Sequence, residues 1–168
     1  MGTGSVLYRI VLLLHTVAAI VGFGGLMAAA ILNARAFRAP VGQARTLLLS
    51  TQAVSKISYN GLYALLLLGI VLVSISDKAF SFGAPWVSAA FVTWFTVIGI
   101  SHGLVRPTIA KMVARSESLA AGAPGTALPI LESDDEASAL AKKLAMGEAA
   151  VQILLLVSLA LMIWKPGN

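Results

Sequence analysis

Four long apolar runs, set apart by polar stretches, organise the 168-residue chain. The first extends from about Val6 to Leu32, and no charge interrupts Ile10 to Leu32. The second, about Ile57 to Ser76, has Leu65-Leu66-Leu67-Leu68 at its centre. The third is about Trp86 to Val105; the fourth begins near Gly147 and ends at Trp164-Lys165-Pro166. A helix needs about 20 apolar residues to cross the hydrocarbon core of a bilayer. The pattern therefore predicts an all-α membrane protein, a single four-transmembrane-helix bundle with spans of about 6–32, 57–76, 86–105 and 147–164.

The polar stretches predict more helix. Arg35, Arg38 and Pro40 end the first span. Pro40 suits a helix start, and Leu47, Leu48, Thr51, Val54 and Ser55 give residues 41–56 a mixed apolar stripe. This stretch reads as an extension of the second helix. Phe80-Ser81-Phe82-Gly83-Ala84-Pro85-Trp86 is an aromatic turn of the kind that sits at a membrane interface. Arg106-Pro107 closes or kinks the third helix. Residues 108–120 then read as amphipathic, with Ile109, Met112, Val113 and Leu119 on one side. Gly122 to Pro129 is a small-residue linker. Ser133-Asp134-Asp135-Glu136 has the spacing of a capping box, with Ser133 as the cap. A helix over residues 134–164 is about 46 Å long. That exceeds the ~30 Å hydrocarbon core, so its first part projects from the bilayer as part of a helical connection over 106–146.

Composition and charge sharpen this picture. Hydrophobic residues make up 58% of the chain and charged residues 11%, against about 45–50% and about 25% in soluble domains. Cysteine is absent, which removes disulfides, thiolate catalysis and cysteine metal sites. The net charge of +5 falls between the apolar runs, where it sets topology rather than binding nucleic acid. Arg35, Arg38, Arg45, Lys56, Arg106, Lys111, Arg115, Lys142 and Lys143 lie on one side; Arg9, Lys78 and Lys165 lie on the other. The positive-inside rule then puts both helical extensions in the cytoplasm and both termini outside. The first run is too long for a signal-peptide core of about 7–15 residues and reads as a retained helix.

Several short motifs carry a resemblance. They are His15-Thr16-Val17-Ala18-Ala19-Ile20-Val21-Gly22-Phe23-Gly24-Gly25, then Arg35 and Arg38, Gly69, Phe82-Gly83-Ala84-Pro85-Trp86, and Leu161-Met162-Ile163-Trp164-Lys165-Pro166. With them the chain resembles the small bacterial integral membrane proteins of unknown function. The resemblance covers nearly the whole chain. It implies a multi-pass protein of the bacterial inner membrane and no particular activity. A more distant likeness is to HemJ-type protoporphyrinogen oxidases and copper-resistance membrane proteins, which also carry an early His in the first helix. His15 is the position at which such a likeness would place haem b, but His15 alone does not carry haem chemistry over, and no cofactor is assigned. Phe23 stands where those proteins have a Trp, and their Arg- and Lys-rich signature is absent.

Ionisable residues inside a membrane face a cavity or a partner. His15, His102 and Glu148 are the candidates. By helical rise His15 lies roughly 13 Å from the outer end of its span and His102 roughly 24 Å from the end of its own. An offset of about 10 Å speaks against one haem held between them. Glu148 and Asn60 fall on the level of His102. An inner polar layer of Tyr59, Asn60, His102 and Glu148, with Gln152 one turn away, follows from these depths. Such a layer suits a proton-handling pair or a head-group pocket; the plainer alternative pairs Glu148 with Arg106 or Lys56. Gly22 and Gly25 on the first helix, and Gly99 and Gly103 on the third, suit close helix packing.

No nucleophile set, metal cluster or phosphate loop is legible. The expected role is therefore a non-enzymatic membrane subunit, accessory or scaffold protein, in contact with lipid and with other membrane proteins or copies of itself. The alternative is a haem-, quinone- or proton-handling protein that uses His15 or the His102–Glu148 layer.

Overall fold

The computed structural model describes residues 2–77, 79–122, 129 and 134–165. Among them the regular elements are all helical: α1 (Val6–Arg38), α2 (Val41–Ser74), α3 (Pro85–Ile100), a π-helical turn (Ser101–Val105), α4 (Arg106–Gly122) and α5 (Asp135–Trp164). Four stretches are long and apolar enough to cross a membrane: Val6–Arg38, Val41–Ser74, Pro85–Gly122 and Asp135–Trp164. Only 22–33% of each apolar window is buried inside the protein. Leu13, Ile20, Leu67, Val92 and Leu156, spread over these helices, are all more than 60% exposed. Apolar surface on that scale is not left to water; lipid solvates it. The chain is a multi-pass integral membrane protein.

The breaks between elements have local causes. Only Ala39 and Pro40 separate α1 from α2. Pro40 has no N–H to lose, and its carbonyl accepts from the N–H groups of Gln43 and Ala44, both at 2.9 Å. The semi-polar stretch from Val41 is thus the first half of α2. That helix ends where Ser76 Oγ accepts from the Phe80 N–H at 3.1 Å and Asp77 takes a positive φ of 55°, a conformation that Asp tolerates better than most residues.

Arg106-Pro107 neither closes nor breaks its helix. Pro107 cannot donate to the carbonyl four residues back, and its ring would strike that carbonyl in a regular α-helix. The chain widens just before it: the Arg106 N–H reaches Ser101 O, five residues back, in place of the α partner. Thr108 Oγ1 then donates to Leu104 O at 2.7 Å. The helix continues into α4 through this turn.

The chain divides into two compact units. The first comprises Met1–Gly25, Ile57–Val97 and Ile153–Asn168. Small residues bring α1 and α2 together there: a Cβ on Gly61 would stand 2.8 Å from Gly22 N and 3.2 Å from Ala18 O. Trp94 Nε1 donates to Leu62 O at 3.0 Å and ties α3 to α2.

The second unit comprises Leu26–Lys56 and Ile98–Gln152. Its apolar centre includes Ala36, Ala44, Leu48, Met112, Ala137 and Leu144, all fully buried. Charged pairs join its helices. Arg45 holds Glu117 at 2.7 Å. Arg115 grips Asp134 with two nitrogens, at 2.8 and 2.5 Å, and reaches Glu136 at 3.4 Å. Asp134 also caps α5, accepting from the Ala137 N–H at 2.9 Å. The expected cap Ser133 lies outside the described residues. The Arg115 guanidinium, helped by the Ala137 N–H, lowers the Asp134 carboxyl from 3.8 to about 2.

Candidate functional site

Spacing puts His15 inside. Tyr8, Val11, His15, Ala18 and Gly22 recur at intervals of three and four, so they share one face of α1. Tyr8, Val11, Ala18 and Gly22 are buried, and His15 is half-buried. Across from it, Gly69 on α2 supplies the space for the ring: a Cβ there would lie 3.2 Å from His15 Cε1. The imidazole faces α2 beside Leu65 and Gly69. Nδ1 is buried without a partner.

His15 lines a cavity of about 230 Å³ within the first unit. Phe23, Phe91, Trp94 and Trp86 give it an aromatic wall. Lys165 also lines it, with its ammonium 4.3 Å from the Phe80 ring centre and 5.9 Å from that of Trp86. The Trp86 indole meets the Phe80 ring edge-on at 5.5 Å, and its Nε1 is buried without a partner. An apolar pocket with a few fixed polar groups is the usual build of a small-molecule site. The aromatic turn expected at the interface supplies two of these residues, Phe80 and Trp86.

The second unit holds a different arrangement. Glu148 Oε1 accepts a hydrogen bond from Asn33 Nδ2 at 2.5 Å. Asn33 is fully buried, and its Oδ1 has no partner. Just before Glu148, Gly147 packs so closely on the π-turn that a Cβ would overlap Leu104 and stand 3.2 Å from Val105 Cγ2. His102, half-buried in the same unit, places Nδ1 3.2 Å from Ile98 O on its own helix.

The other expected residues separate by exposure. Tyr59 is buried while Asn60 beside it is exposed, because successive helical residues point about 100° apart. Gln152 is half-buried. Gly22 and Gly25 lie in contact with α2: a Cβ on Gly22 would stand 2.8 Å from Leu62, and one on Gly25 would overlap Ser58 Oγ. Gly99 and Gly103 are exposed, with no atom within 4 Å of a Cβ added at either. No group of three His, Cys, Asp or Glu suited to a metal occurs among the described residues.

Asn33 is the site residue that the sequence reading missed. It stands one residue beyond the first span and two before Arg35, so it fell outside the stretch searched for polar residues. The signal was there in the spacing: from Ala29, buried on the same face, Asn33 is one further step of four.

No curated protein and no solved structure matches the chain. One family model, described as a predicted integral membrane protein, matches residues 9–166. That match takes in nearly all of the four apolar helices, together with His15, Asn33 and Glu148, and the chain belongs to this family, DUF2269, whose function is unknown.

Proposed function

We infer that the protein binds a small lipophilic molecule carrying a hydroxyl, or a similar hydrogen-bond donor, in the cavity beside His15. The observation that carries this reading is the buried His15 Nδ1 without a partner. In a neutral imidazole one nitrogen donates and the other accepts. His15 lines the cavity, so a ligand there can offer a donor to the ring nitrogen that the protein leaves unmet. An unmet buried acceptor costs about 1–3 kcal/mol; a ligand hydroxyl recovers it.

Size narrows the class. The cavity of about 230 Å³ is below the roughly 300–1,000 Å³ of pockets for drug-sized ligands. It suits a single or fused ring better than a haem macrocycle. Among the cofactor classes expected for His15, a quinol head group fits best: one ring, phenolic donors and an apolar tail that lipid accommodates. Basic residues flanking the apolar runs support an orientation with both termini outside and residues 106–146 in the cytoplasm, and the resemblance to small bacterial membrane proteins suggests the bacterial inner membrane.

A subunit or scaffold role is the second reading. The open Gly99 and Gly103 favour it, since among the described residues nothing outside their own helix backbone lies within 4 Å of a Cβ added at either and close-packed helix pairs in membranes use such residues.

Titration calorimetry in lipid nanodiscs, with empty nanodiscs as the blank, tests the first reading. 1-Naphthol is expected to bind saturably and naphthalene more weakly by about fivefold to a hundredfold, the equivalent of 1–3 kcal/mol. The gap closes in His15→Leu. Equal binding of the two probes by the unaltered protein contradicts the reading.

A further inference from the structure

The Asn33–Glu148 pair has an unmet need that one positive charge would fill. Asn33 is fully buried. Its amide nitrogen is spent on Glu148 Oε1 at 2.5 Å, and its Oδ1 is left without a donor. Exchanging the amide's oxygen and nitrogen does not relieve this. It would set two acceptors against each other at that distance, a contact that only a shared positive charge makes attractive. Glu148 has the complementary problem. It belongs to none of the ion pairs among the described residues, and a carboxylate at the edge of an apolar span is costly without a counter-charge.

The charged and titratable groups of this unit include Arg35 on α1, Arg45 and Lys56 on α2, and His102 and Arg106 at the π-turn. Arg35, Lys56 and Arg106 are exposed. Arg45 is committed to Glu117. His102 has its Nδ1 turned to Ile98 O. The close seat of Gly147 against Leu104 and Val105 fixes the start of this stretch of α5, so that Glu148 is presented to Asn33 on a packed helix.

We propose that Asn33 and Glu148 form a binding site for one monovalent cation, held between a carboxyl oxygen and the Asn33 amide oxygen. The chemistry has two sources, a proton and Na⁺. A proton on Glu148 makes a carboxylic acid, which beside a carboxamide closes a ring of two hydrogen bonds and satisfies Asn33 Oδ1. Na⁺ would use both oxygens as ligands, which suits a hard cation. This site is independent of the His15 reading and shares no residue with it.

Infrared difference spectroscopy on the full chain in nanodiscs tests the proposal, with Glu148→Gln as the reference because it keeps the side-chain shape. At neutral pH the difference spectrum is expected to contain one feature of Glu148. A carboxylic-acid carbonyl band that shifts in D₂O and ignores Na⁺ identifies the proton. A carboxylate band that moves when Na⁺ is replaced by choline identifies Na⁺. Asn33→Ala keeps the carboxyl and is expected to shift either band; it also serves if Glu148→Gln does not fold. A carboxylate band indifferent to Na⁺ overturns the proposal, whether or not Asn33→Ala moves it.

Discussion

The two units handle space and polarity in opposite ways. The second unit has a close-packed apolar core among the described residues. Leu48, Met112 and Leu144 are fully buried against alanines, and Arg45 and Arg115 are matched to carboxylates. The first unit is left partly open. It surrounds a cavity of about 230 Å³ and leaves His15 Nδ1 and Trp86 Nε1 without partners. Close packing is the rule in protein interiors, and gaps lined by unmatched polar atoms are rare. The filled unit therefore reads as structure and the open one as a place for a ligand. The Asn33–Glu148 pair is where the second unit departs from its own rule.

Truncation in the filled unit should have the largest effect. Met112→Ala is expected to cost about 2–5 kcal/mol in unfolding free energy, measured by denaturant titration in detergent micelles. A cost below 1 kcal/mol would mean that this core is not tightly packed.

Enlarging alanines compares the units directly. Ala44 is fully buried in the second unit, so Ala44→Leu is expected to cost about 1–3 kcal/mol by overpacking. Ala90 lines the cavity, so Ala90→Leu should cost little stability and weaken 1-naphthol binding. Equal destabilisation by the two substitutions would erase the contrast between the units.

Glycines give a third comparison, within the helix contacts. Gly61→Ala forces a Cβ against backbone atoms of Gly22 and Ala18 and is expected to cost about 1–3 kcal/mol. Gly99→Ala meets nothing and should be neutral, or stabilising by up to about 1 kcal/mol through helix propensity. A large loss of stability in Gly99→Ala would instead point to a partner seated on that face.

The smallest effect concerns acid. The Asp134 carboxyl is lowered from 3.8 to about 2 by Arg115. Its contribution is thus complete above pH 3.8 and lost as pH falls towards 2. Melting curves of the unaltered protein and Asp134→Asn should differ at neutral pH and converge across that window. Curves that stay parallel through it would remove the pair from the account of the second unit.

Most of the helical framework was readable from the sequence, because spanning helices are dictated by length and apolarity alone. Their continuations were less so. Arg106-Pro107 was expected to close or kink its helix; the helix continues through a π-turn instead of closing, and such an adjustment has no local sequence signature. The expected cap Ser133 lies outside the described residues, and the cap the structure describes is its neighbour Asp134. His15 could be picked out because a lone His in an apolar run is conspicuous. Depth arguments grouped Asn60 with Glu148 by level alone. Helical phase, which leaves Asn60 exposed and puts Asn33 on the inward face with His15, was the missing coordinate. The opposing Gly69 and the cavity depend on how separate helices pack, which periodicity within one helix does not specify.

Nitrogen NMR of the imidazole tests the central claim most directly. With ¹⁵N-histidine in nanodisc-embedded protein, His102→Gln leaves His15 as the remaining histidine signal. The account predicts one protonated and one bare ring nitrogen, with the bare nitrogen shifting on addition of 1-naphthol and not of naphthalene. Two protonated nitrogens, or a bare nitrogen that neither probe moves, would contradict it.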